Sequence, residues 1–173
     1  MREQRVIIFG GPDRCGKTTI AKELSRVLDI PYFKPIGQQA TALHDPAEFV
    51  QQVQYAEPKL LDFLQQTRYS AIMDRGFPCE WAYSKAFERE TDWKMLEWLD
   101  GMHAKLGTLL VFTLRKDYTG KRDDADGRID QRKLELIDGW YRVYQKKSRC
   151  DTLVLETDDE FLEQQVKIIM EAM

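Results

Sequence analysis

Two short groups of residues in this sequence have the types and spacing to act together on phosphate. The first is Gly11-Pro12-Asp13-Arg14-Cys15-Gly16-Lys17-Thr18, which fits the pattern GxxxxGK[ST] in full. It follows the apolar run Val6-Ile7-Ile8-Phe9 and opens a helical pattern, the context this motif requires. Glycines let backbone amides turn inward around phosphate oxygens, and the following helix adds its positive N-terminal end. The chemistry implied is capture of a nucleoside triphosphate with magnesium. Lys17 would span the β- and γ-phosphates, and the Thr18 hydroxyl would hold the metal. Gly11, Asp13, Gly16, Lys17, Thr18 and Thr19 are the expected cradle for ATP. A cation at Arg14 suits charge developing on a transferring phosphoryl group. Asp13 reads either as an acceptor for a sugar hydroxyl or as a turn-stabilising aspartate.

The second group is Asp74-Arg75, at the end of the apolar run Ser70-Ala71-Ile72-Met73. A carboxylate and a guanidinium at the carboxyl end of a buried strand are costly unless they pair or serve a function. Asp74 and Arg75 therefore read either as a structural ion pair or as functional groups of a site. A third region, residues 115–128, is almost entirely polar and contains two glycines. Its cations Arg115, Lys116, Lys121, Arg122 and Arg128 can meet a triphosphate, or form a solvated charged loop. Arg122 and Arg128 are the preferred pair.

Positioning these groups requires a particular scaffold. Short apolar runs at 6–9, 31–33, 70–73, 109–112 and 153–155 read as five strands. Between them, helical patterns are expected over 17–28, 46 to about 67, 78–89, 92–105, 129–147 and 159–172. Asp45 can cap the second helix, with Pro46 at its first position, and Pro58 is expected to kink or divide it. Strands that are continuous apolar runs separated by helices indicate a parallel sheet covered on both faces. Ligands of such sheets sit at the carboxyl ends of the strands, where both groups fall.

Composition sets the outer bounds. The 173 residues suggest one domain over 1–173, able to bury a core without disulfides. A net charge of -3 does not suit a bulk nucleic-acid binder. Three widely spaced cysteines and two histidines form no zinc pattern and fit a reducing compartment. The first apolar run is too short for a secretory leader, and no stretch suits a membrane helix. A cytoplasmic protein without a membrane partner is expected, with a virus-encoded protein in a host cytoplasm among the allowed settings.

At this point the chain resembles the thymidylate kinase and deoxynucleoside kinase group of P-loop kinases. The loop Gly-Pro-Asp13-Arg14-Cys-Gly-Lys17-Thr18 is similar to that group's loop, in which Asp-Arg precedes a small residue and Gly-Lys. Asp74-Arg75-Gly-Phe-Pro-Cys79-Glu-Trp-Ala82-Tyr83 is similar to its DR-xxx-S-xx-AY segment. Asp126-Gly-Arg128-Ile-Asp130 is similar to the end of its lid, and Glu156-Thr157-Asp158 to its adenine-side loop. The resemblance implies an α/β three-layer P-loop kinase fold, with a five-stranded parallel sheet flanked by helices and a short lid near 115–130. It implies ATP and magnesium as cofactors. It gives Asp13 a sugar contact and Arg14 a part in transfer. It places Asp74 near magnesium and gives Arg75 the acceptor or transferring phosphate. By the same likeness the catalytic set is Lys17, Arg14, Asp74, Arg75 and Arg128, with Arg122 on the nucleotide.

Three departures bear on the acceptor. Phe33-Lys34-Pro35-Ile36-Gly37 stands where the group usually has Arg-Glu-Pro-Gly, so Lys34 offers a point charge without bidentate geometry. Cys79 replaces the usual Ser, and Ser84 follows the Ala-Tyr pair where Gln is common. The helix that normally supplies an Ala-x-Arg clamp reads Phe49-Val-Gln51-Gln52-Val-Gln54-Tyr55, with no arginine. Gln54 and its neighbours could read a base edge or be a solvated face. Tyr83, Trp81 and Phe77 could stack on a base or be core. Trp93, Trp98, Trp140, Tyr141 and Tyr144 are expected in the core, and Cys15 and Cys79 as packing residues. The leading expectation is γ-phosphate transfer to a deoxynucleoside monophosphate, with Asp13, Lys34, Gln54, Arg75 and Tyr83 facing it. A nucleoside, or a hydroxymethylated base in DNA, is the alternative acceptor, and a non-catalytic nucleotide-binding protein is the further alternative. A homodimer is compatible with the helices but not compelled by any heptad seam.

Overall fold

The structure, a computed structural model, describes residues 3–34, 46–120, 129–158 and 161–173, giving the backbone alone for 46–54. The chain-order elements are β1 (Val6–Gly10), α1 (Lys17–Leu28), β2 (Tyr32–Phe33), α2 (Pro46–Thr67) and β3 (Ala71–Asp74). They continue as α3 (Phe77–Phe87), α4 (Trp93–Lys105), β4 (Leu109–Leu114), α5 (Gln131–Gln145), β5 (Asp151–Glu156) and α6 (Leu162–Glu171). The five strands form one parallel sheet in the order β2-β3-β1-β4-β5.

β1 is buried at every position because it lies in the middle of the sheet with helices over both faces. Its side chains alternate between two cores, as the twofold repeat of a strand demands. Ile7 and Phe9 pack with Ile20, Ala21 and Leu24 of α1 and with Val166 and Ile169 of α6. Val6 and Ile8 face Leu61 and Leu64 of α2, Phe77 and Ala82 of α3, Leu96 and Leu99 of α4, and Tyr141 of α5. The chain builds β2 and β3 on one side of β1, then crosses to β4 on the other. That reversal opens a crevice beyond the carboxyl end of β1, the place where such sheets bind ligands.

The expected elements are all present, with shifted ends. Asp130 caps α5 by accepting from the Lys133 amide at 2.9 Å, and Asp92 caps α4 by accepting from the Met95 amide at 3.0 Å. α2 runs through Pro58 as one helix rather than dividing there. Leu61 and Leu64, one and two turns on, are 1% exposed, so burial of that face outweighs the one hydrogen bond a proline removes. Trp98 is not a core residue: it is 46% exposed, because Leu96, Leu99 and His103 take the buried face of α4. Tyr141 and Tyr144 are buried as expected, and Trp93 and Trp140 are half-buried against the same core. Among the described residues, no helix is long and apolar enough to cross a membrane.

Candidate active site

β1 delivers the chain into the glycine loop with almost no room to spare. Gly11 has φ +139, and a Cβ there would lie 2.2 Å from the Thr113 carbonyl oxygen at the end of β4. Only glycine fits such a backbone. Gly16 then takes a left-handed conformation, φ 76, and its carbonyl accepts the first helical bond of α1 from the Ile20 amide at 3.0 Å. The N-terminus of α1 is thereby left open at the loop, without a side-chain cap, as an anion site requires.

Lys17 is 5% exposed and turns its Nζ back onto the Pro12 carbonyl at 2.5 Å. Burial, then the nearby Arg75 cation, lower its pKa. A desolvated ammonium inside an amide-lined loop is a strong electrostatic partner for phosphate. Next to it, the Thr18 hydroxyl donates to Asp74 Oδ2 at 2.5 Å, and Tyr32 from β2 donates to the same oxygen at 2.9 Å. Asp74 is 1% exposed, and its Oδ1 is buried with no hydrogen-bond partner among the described residues.

Those oxygens test the fit of a metal. Magnesium takes hard oxygen ligands and keeps several waters, so one or two protein oxygens suffice beside the phosphates. The Thr18 hydroxyl and the unpaired Asp74 oxygen are donors of that kind. Among the described residues there is no cluster of three or more His, Cys, Asp or Glu that would hold a metal unaided.

Across the crevice, Arg75 reaches from the end of β3 to Asp13 in the loop. Its guanidinium pairs with Asp13 Oδ1, while Tyr83 of α3 donates to Oδ2 at 2.9 Å. The Arg75 guanidinium also lies 5.6 Å from the Tyr83 ring centroid. Burial alone would raise the Asp13 carboxyl; Arg75, Lys17 and Tyr83 outweigh it and hold the pKa below its ordinary value. Burial opposes the charge on Arg75 too, but Asp13 leaves its pKa raised. Thus Asp13, Lys17, Thr18, Asp74, Arg75 and Tyr83 converge, although they come from the loop, α1, β3 and α3.

Other expected site residues sit differently. Arg14 is exposed, with φ 67, and its carbonyl accepts from Arg115 at 3.4 Å. Thr19 is exposed in the first turn of α1, and Lys34 is exposed just past β2. Gln54 is described by its backbone alone; Arg122 and Arg128 lie outside the described residues. Cys79 packs, fully buried, near the Phe9 carbonyl, and Phe77 and Trp81 are core rather than free to stack. Several contributors were not foreseen: Tyr32 on Asp74, Thr113 against Gly11, and Glu57, whose carboxyl faces Gly76 and the Phe77 amide. Glu57 had the one legible signal, an acidic residue on the same helical face as Leu61 and Leu64.

The turn after β5 is clipped to the chain leaving β4. Thr157 donates its amide to the Leu114 carbonyl at 2.8 Å, and Asp158 accepts from the Lys116 amide at 2.6 Å and pairs with Arg115 at 3.2 Å.

No protein-family model and no curated protein matches the sequence. Solved structures do match in fold. The YorR protein of Bacillus subtilis, in complex with phosphorylated GDP, superposes with a TM-score of 0.71 at 22% identity, over 96% of this chain and 94% of that one. The deoxyadenosine kinase of M. mycoides, with dCMP and dCDP bound, gives 0.60 at 18% identity over 96% of each chain. The thymidylate kinase of Ehrlichia chaffeensis gives 0.67 at 14% identity over 98% of each chain. The chain therefore has the α/β fold of the thymidylate and deoxynucleoside kinases, along nearly its whole length.

Proposed function

We propose that this protein is an ATP- and magnesium-dependent kinase that transfers the γ-phosphate to a deoxynucleoside monophosphate, within a single domain whose lid spans about 115–130. The observation that carries the reading is the pairing of two assemblies across one crevice. On one side are the glycine loop with its Asp13, Lys17 and the Thr18–Asp74 bond; on the other are Arg75 and Tyr83, which both reach across to Asp13. Lys17 and the amides of α1 would hold the donor phosphates, with Arg122 and Arg128 closing over them. Thr18 and Asp74 would hold magnesium, which supplies charge neutralisation between the phosphates when bound. Arg75 would hold the acceptor or the transferring phosphoryl group, aided by Arg14, and Asp13 would accept from a sugar hydroxyl. Tyr83, Lys34 and Gln54 would complete the acceptor side.

A nucleoside acceptor is the second reading, favoured by the buried and unpartnered Asp74 oxygen, which could take a proton from a hydroxyl. The fold neighbours with bound nucleotides support a small-molecule acceptor; nothing in them supports modified DNA or a homodimer. Incubation with γ-labelled ATP and magnesium against deoxynucleosides and their monophosphates decides. Label recovered in a diphosphate supports the first reading, and label in a monophosphate the second. Label in neither product, with ATP still bound, would sink both.

A further inference from the structure

Tyr118 stands alone as an aromatic residue in a polar stretch, four residues past β4, yet it is 2% exposed. Its ring packs with Cys15 of the glycine loop and with Leu134 and Ile129 at the start of α5. Its hydroxyl donates to Asp138 Oδ2 at 2.8 Å and lies 3.3 Å from Cys15 Sγ. A phenol has a single proton. Asp138 pairs with Arg142 at 2.5 Å and also takes the Arg115 amide at 3.2 Å, so its carboxylate accepts. The Tyr118 proton therefore goes to Asp138, and the Cys15 thiol has Tyr118 at 3.3 Å as the nearer of two acceptors, the Asp13 carbonyl lying at 3.7 Å. Burial raises the pKa of that thiol, which keeps its proton for this bond.

The chain of contacts does not end there. Arg142 reaches Glu156 at 2.8 Å, at the end of β5, and the turn after it is held to Arg115 through Asp158. One buried hydroxyl thus joins a side chain of the glycine loop to α5, and Arg142 joins α5 to the end of β5. We infer that Tyr118 is a positioning residue that fixes the Cys15 segment of the glycine loop in its phosphate-binding shape, through Cys15 on one side and Asp138 on the other. The inference rests on the donor-site reading of that loop. A loop held in shape before binding loses less freedom when phosphate arrives.

The test is ADP titration by calorimetry, with Tyr118→Phe, Cys15→Ala, Cys15→Ser and the double variant Cys15→Ala/Tyr118→Phe. Tyr118→Phe removes both bonds of the hydroxyl, of which the one with Cys15 reaches the glycine loop, and should weaken ADP binding about two- to tenfold. In turnover the KM for ATP should rise while the acceptor KM stays put, a split that general loosening of the fold would not give. Cys15→Ala should match Tyr118→Phe, the double variant should be no worse than either, and Cys15→Ser should recover most of the loss through its hydroxyl. Should Tyr118→Phe not fold, the Cys15→Ala and Cys15→Ser pair still decides, since equal affinity in the two contradicts the inference. Wild-type affinity in Tyr118→Phe, or additive losses in the double variant, overturns it while leaving the donor site standing. Absence of ADP binding in the wild type overturns the donor-site reading and this inference together.

Discussion

The Arg75 guanidinium and the Asp13 carboxylate pair across the crevice, joining the end of β3 to the glycine loop. Arg75 is held for this in a left-handed backbone, φ 83, with its amide bonded to the Phe9 carbonyl at 3.0 Å. That conformation costs a bulky residue about 1 kcal/mol or more and persists only where its surroundings fix it. A strained arginine aimed at a loop carboxylate is what a phosphate-handling cleft would keep.

Asp13→Asn removes the charge and leaves Arg75 poorly matched. Both side chains are partly shielded, 22% and 25% exposed, so the loss expected at pH 7 is about 1–3 kcal/mol in denaturant unfolding. Since the folded pKa of Asp13 is depressed, its stabilisation is present above its ordinary value of 3.8 and fades as pH falls through the folded value. The gap between wild type and variant should therefore close in acid. A gap that stays constant from pH 7 to pH 3 would contradict the pairing.

Glu57 acts in the opposite sense. Burial pushes its carboxyl from 4.5 up to about 8, and Oε2 has no hydrogen-bond partner among the described residues. The folded chain thus holds a proton that the unfolded chain releases, and Glu57 costs more stability as pH climbs from 4.5 toward 8. Glu57→Gln, which can still accept from the Phe77 amide, should be more stable than wild type at pH 8 by about 2–4 kcal/mol. The advantage should vanish near pH 4. Urea titrations at the two pH values measure it.

Gly11→Ala should abolish nucleotide binding or folding, because the new methyl group meets the Thr113 carbonyl at 2.2 Å in a backbone of φ +139. Gly16→Ala, at φ 76 with the Ile20 side chain at 3.8 Å, should be milder, strained by about 1 kcal/mol. Thermal unfolding of the two variants side by side checks the order.

Asp74→Asn keeps the acceptor for Thr18 and Tyr32 but removes the charge beside the proposed magnesium position. The magnesium concentration for half-maximal transfer should rise about tenfold or more, with folding retained. An unchanged magnesium dependence would remove Asp74 from the metal site.

Much of this was legible in the sequence because it depends on local rules. β1, β3 and β4 are continuous apolar runs, and the glycine loop and Asp74-Arg75 follow strand ends directly. What was not legible depends on partners far apart in the chain. Tyr118 is buried only because Cys15 and Asp138, 103 and 20 residues away, meet it. Trp98 looked like core by residue type, but its place on α4 turns it outward, and Pro58 was carried through α2 by tertiary packing.

The central claim is most directly tested by following transfer of the γ-phosphate from ATP in wild type and in Lys17→Ala. Lys17 is buried in the loop with its Nζ on the Pro12 carbonyl, so its loss should slow transfer about 100- to 1,000-fold while the fold survives. Wild-type transfer to a deoxynucleoside or its monophosphate, lost in the variant, is the result predicted here. Equal transfer in the two proteins, or none from wild type to any such acceptor, would contradict it.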